Sequence, residues 1–202
     1  MEVYHRYLTE KLGLSYEVHP SLGQLLGDIL SDARWDVTCL GMQIMVEGLA
    51  LAAFGMMKLM MAGEPLIQDI TTRIMGDESR HAAFGVISLE DVHTKEMSGA
   101  ALKDREDSVI EGTHLLRDCL LMHQVFGRLG WDVKEWVAWA SETPFMQGFR
   151  QMTFSKIVPN LKRLGLLTPR VCAEYAKLGL LRFETMKDPV EKPEVTLPTE
   201  AV

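Results

Sequence analysis

Three side chains in the middle of the chain have the types and spacing to hold a metal. Glu47 interrupts an otherwise apolar series, Leu40, Ile44, Leu51 and Phe54, whose members recur three or four residues apart and so share one helix face. Glu78 and His81 do the same in a second series with Ile67, Ile74 and Gly85, and their i, i+3 separation makes them neighbours. Between the two series, Gly63-Glu64-Pro65 marks a chain reversal, because Gly suits the end of a helix and Pro the first turn of the next. Glu47 lies 16 residues before Gly63 and Glu78 lies 15 after it. At a rise of ~1.5 Å per residue both stand about 23–24 Å from the turn, level with each other in an antiparallel hairpin. Two inward carboxylates and an imidazole therefore converge. Such donors suit iron, with manganese also accommodated, and a bridging carboxylate can hold two metals close enough to share dioxygen. The alternative is a satisfied core acid beside a chance Glu-x-x-His. Asp77 and Arg80 flank the set, with Asp77 placed either to orient His81 or to pair on the surface with Arg73 or Arg80.

The elements that must position these groups read as helices throughout, so the expected class is all-α. Residues 1–13 form a first segment, 21–31 a short helix, 33–62 a long one, 65–97 a second long one and 102–128 a third. Shorter helices follow at 132–141 and 145–164, and Thr168-Pro169 caps a last one to 184. Trp131, Trp136, Trp139, Phe145, Phe149 and Phe154 are expected to pack as core. A single domain over 1–186 and a disordered, proline- and charge-rich tail over 187–202 complete the organisation. Gly41, Gly48 and Gly55 recur every seven residues, which puts them on one side of the long helix and lets a neighbour approach closely.

Size and composition narrow the class. The chain has 202 residues and is 47 % hydrophobic, enough for a substantial core. A formal net charge of −7 argues against a nucleic-acid partner. Cys39, Cys119 and Cys172 are widely spaced, as expected of reduced thiols in a cytoplasmic protein, and the N-terminus lacks the order of a signal peptide. Residues 37–62 are apolar enough to cross a bilayer, but Gln43, Glu47 and Lys58 fit a buried bundle helix better, so no membrane association is expected.

The segments Val46-Glu-Gly-Leu-Ala-Leu-Ala-Ala-Phe and Asp77-Glu-Ser-Arg-His-Ala-Ala-Phe-Gly resemble the second half of a ferritin-like di-iron carboxylate protein, as found among di-iron oxygenases, ribonucleotide reductase small subunits and arylamine N-oxygenases. The resemblance covers about residues 1–130. It implies a ferritin-like antiparallel bundle with additional C-terminal helices, and Glu47, Glu78 and His81 as metal ligands, with Asp77 and Arg80 behind them. It also implies an oxidoreductase that activates dioxygen at an iron pair, with a small-molecule substrate and an electron-donor protein as partners. One departure is Ile74, where the N-oxygenase group carries an additional histidine, and this counts against amine oxygenation.

Such a pair needs twice the donors that one hairpin offers. A second Glu-x-x-His, Glu111 and His114, lies only 12 residues past the break at Gly99, whereas Glu78 lies 21 before it, a mismatch of roughly 13 Å. A polar helix surface is the expected role of Glu111 and His114. The stretch Met1-Glu-Val-Tyr-His-Arg-Tyr-Leu resembles the family's sequence just after its first Asp-Glu-x-Arg-His, so the first half of the site is expected upstream. A symmetric homodimer contributing two copies of Glu47, Glu78 and His81 is the alternative, either as a non-enzymatic iron-binding protein or as a metal-free helical one. Phe54 and Phe84 are expected to be core residues beside the site.

Overall fold

A computed structural model describes residues 2–185, and every regular element among them is helical. The expected domain end at 186 and the tail over 187–202 lie outside the described residues. In chain order the helices are α1 (Glu2–Arg6, continuing into a wider π turn, Tyr7–Lys11), α2 (Pro20–Ser31), α3 (Trp35–Cys39), α4 (Glu47–Met60), α5 (Pro65–Asp91), α6 (Gly99–Leu120), α7 (His123–Arg128), α8 (Val133–Glu142), α9 (Pro144–Arg163) and α10 (Pro169–Lys177). Helices α3 and α4 are one continuous rod joined by a π segment, Leu40–Val46, and a second π segment, Val92–Glu96, extends α5. The starts follow from local chemistry. Proline stands at the first turns of α2, α5, α9 and α10, and Ser98, Asp132, Thr143 and Thr168 accept backbone N–H bonds as N-caps. Gly165 and Gly179, at φ +71 and +69, end α9 and α10 in the left-handed conformation that lets Leu166 and Leu180 bond back across the last turn.

The α3–α4 rod runs through the centre. Leu40, Ile44, Met45, Leu51 and Ala52 are buried, packed by α5 on one side, α9 on another and α2 and α6 on a third. Trp35–Met60 is long and apolar enough to cross a membrane, and it is here the core helix of a bundle. The three glycines divide their work. A Cβ on Gly48 would lie 2.6 Å from Ile157 of α9 and one on Gly55 2.5 Å from Met152 of α9, whereas one on Gly41, near the start of the π segment, would lie 2.5 Å from Ile29 of α2. The single shared face expected from the seven-residue spacing is thus split between two partners, because the wider turn of the π segment lies between Gly41 and Gly48 and rotates one relative to the other.

Two expectations change. The helix expected over 102–128 breaks at Leu121–Met122, where Met122 takes φ 57, and α7 sets off separately. The aromatics expected in the core divide: Phe154 is buried and Trp136 and Phe149 are half-buried, but Trp131, Trp139 and Phe145 are exposed. Trp131, Trp136 and Trp139 pack in series, tilted and edge-on, with Trp131 and Trp136 against Phe126, so the rings meet one another while Trp131 and Trp139 stay exposed.

A buried charge network ties α3 to α6. Arg105 donates Nε and Nη2 to Asp36 at 2.7 and 3.1 Å and Nη1 to Asp104 at 2.6 Å, and Arg34 reaches Asp32 and Asp104. His93 lies against the same group, its Nε2 3.7 Å from Asp36 Oδ2, with neither ring nitrogen hydrogen-bonded.

Candidate metal centre

Helices α4 and α5 are antiparallel about the reversal at Gly63. Their register is fixed at two points: Gly85 faces Gln43 so closely that a Cβ would sit 2.4 Å from Gln43 Cβ, and Gly55 faces Met75. Midway between these contacts stand Glu47, Glu78 and His81, each offering a ligand atom within 4.8 Å of the others. The equal heights read from the turn are what brings them together. His81 Nδ1 is 3.4 Å from Glu78 Oε2 and 3.2 Å from Glu47 Oε2. The second contact is close enough for attraction but is not aligned as a hydrogen bond, so Glu47 Oε2 is left buried without a donor.

Burial is graded across the three. Glu47 is buried, Glu78 is half-buried and the His81 side chain is 56 % exposed. All three were expected to be buried; the imidazole instead forms the open rim, because no element among the described residues covers that side of α5. The same groove is covered nearer the turn. Phe54 and Thr71 lie seven residues from Glu47 and Glu78 respectively, two turns away on the same faces. Tyr4 of α1 stacks on Phe54 at 6.2 Å between ring centroids and bonds Thr71 Oγ1 at 3.4 Å. In the other direction from His81, Phe84 and Ile87 are 64 % and 59 % exposed, so Phe84 is not the core residue expected.

Electrostatics at the site favour a cation. Burial first, and then the hydrogen bond and charge of Glu78, push the Glu47 carboxyl up to about 7, against the opposing pull of His81. Two carboxylates at contact with one imidazole form an anionic, donor-poor pocket of the kind a divalent ion relieves. Asp77 takes no part: it pairs with Arg80 on the exposed side of α5, while Arg73 pairs with Asp69, so the orienting role suggested for Asp77 falls away. Glu111 is exposed on α6 and His114 lies toward Glu174 of α10; neither joins the cluster. The three cysteines are free thiols, and burial pushes Cys39 and Cys119 up from the ordinary thiol range.

Asp36, Arg105 and His93 escaped the sequence reading. Asp36 and Arg105 are 69 positions apart, and only the polar residue standing beside the apolar face of each helix hinted at them. No family model, curated protein or solved structure matches the chain.

Proposed function

We propose that the chain carries one half of a carboxylate-bridged iron site and serves as a di-iron-type oxidoreductase that activates dioxygen for attack on a small-molecule substrate. What supports this reading above all is the convergence of Glu47, Glu78 and His81 on one point from two antiparallel helices. This is the lone-Glu plus Glu-x-x-His donor set from which paired-metal helical bundles are assembled. Iron fits a set of two carboxylates and one imidazole, and manganese fits it next. When bound, the metal pair supplies dioxygen binding and reduction: one oxygen atom enters the substrate and the other leaves as water, with protons and electrons from a donor protein. The chain's own part is to hold Glu47 ready to release its proton to solvent as a cation binds, to keep Glu78 level with it, and to present His81 at the accessible rim.

A second reading is favoured by the open face. With His81, Phe84 and Ile87 uncovered in a row on α5, a second copy of the chain could close over the cluster and bring its own three donors, giving an iron-binding homodimer without enzymatic activity. A metal-free helical role would leave the cluster merely satisfied by protonation of Glu47.

Reaction with dioxygen separates these readings. Protein loaded anaerobically with ferrous iron and then exposed to air should oxidise its iron at least about tenfold faster than the same iron in buffer, followed by absorbance, and Glu47→Gln should remove the acceleration. Oxidation at the buffer rate in protein that holds a complete iron pair overturns the oxidoreductase reading.

A further inference from the structure

Next to the cluster, α4, α5 and α9 enclose a cavity of about 160 Å³. Gly48, Ser79 and Ala82 line it, and each follows a cluster residue in the chain, so the cavity stands at the cluster's height, about 100° round each helix. Its walls are apolar where Leu51 and Met75 face in, and its polar groups come mainly from α9: Lys156 and Asn160, one turn apart on one face.

Among the described residues, one atom of each is left without a partner. Asn160 is 2 % exposed; its Nδ2 donates to the Lys156 carbonyl at 3.0 Å, but Oδ1 accepts nothing. A buried amide oxygen without a donor is a cost that folded chains seldom keep. Lys156 has no carboxylate partner among the described residues, although the chain is acidic overall. Ser79 Oγ is already committed to the Met75 carbonyl at 2.7 Å. The cavity therefore presents one free cation and one free buried acceptor a turn apart, over a hydrocarbon floor. It is also smaller than the ~300 Å³ at which pockets for drug-sized ligands begin.

We propose that this cavity binds a small hydroxy acid, with its carboxylate on Lys156 Nζ, its hydroxyl donating to Asn160 Oδ1 and its carbon chain against Leu51 and Met75. Charge on one end, a donor on the other and a short apolar middle match the three features of the cavity. Water alone can also fill a polar cavity of this size, so the test must show discrimination between solutes.

Metal-free protein, kept in chelator so that the outcome is independent of any metal at Glu47, is titrated calorimetrically with 3-hydroxybutyrate, butyrate and 1,3-butanediol. The expected result is saturable binding of 3-hydroxybutyrate at one per chain. Butyrate, which cannot donate to Asn160, and butanediol, which cannot pair with Lys156, should each bind about tenfold or more weakly. Asn160→Leu should bring butyrate level with 3-hydroxybutyrate, and Lys156→Gln should erase the preference for a carboxylate. Lys156 is half-buried, so its variant keeps the experiment decisive if Asn160→Leu does not fold. Absence of saturable binding, equal affinity for all three solutes, or unchanged affinities in Lys156→Gln would overturn the proposal.

Discussion

At position 47 a carboxyl group sits among apolar neighbours with a second carboxyl beside it, and its titration moves up to about 7. In the unfolded chain a glutamate ionises near 4.3. The folded form thus holds the proton more tightly, so the stability tied to this group is complete below about pH 4.3 and is lost as the pH rises through about 7. At ~1.4 kcal/mol per pKa unit the loss reaches about 3–4 kcal/mol in metal-free protein at pH 8. Glu47→Gln should recover most of it, giving urea midpoints that differ from wild type at pH 8 and converge at pH 4; parallel pH profiles would contradict this. That Glu47 faces inward could be read from its apolar stripe. That His81 lies at an open rim could not, since its stripe marks one face of α5 and says nothing of what covers that face.

Among elements, the helical hairpin was the most legible feature, because Gly63 and Pro65 set the turn and counting residues away from it set the register. The π segment over Leu40–Val46 was not: its wider turn leaves the apolar spacing of Leu40, Ile44 and Glu47 intact while rotating Gly41 away from Gly48. Nor was the clamp between α3 and α6, whose partners are distant in sequence. Burial raises the Asp36 carboxyl, but the hydrogen bonds and charge of Arg105 outweigh it and hold the group below the ordinary range. Burial also lowers His93, keeping it neutral. Both shifts make the unfolded chain bind more protons, so this network loses stability as the pH falls, first below about 6.5 through His93 and then below about 3.9 through Asp36. Arg105→Met leaves Asp36 buried and unpaired and should cost about 3–5 kcal/mol in urea unfolding, with much of the loss restored in the Asp36→Leu, Arg105→Met double variant. A single variant as stable as wild type would show that the pair carries no stability.

For the whole molecule, the all-α architecture followed from periodicity, and it places a graded site at the edge of the bundle: Glu47 inside, Glu78 between, His81 in reach of solvent. Tyr4 closes the groove at Phe54 and Thr71, and the three side chains stand where it is left open. Native mass spectrometry of the protein loaded with ferrous iron under anaerobic conditions tests the metal-site claim most directly, since it counts iron and chains in the same particle. Wild type and Glu111→Ala should retain iron, and Glu78→Ala should lose it, with affinity down by at least about tenfold. Iron held equally well by Glu78→Ala and wild type would contradict the assignment of the cluster as a metal centre.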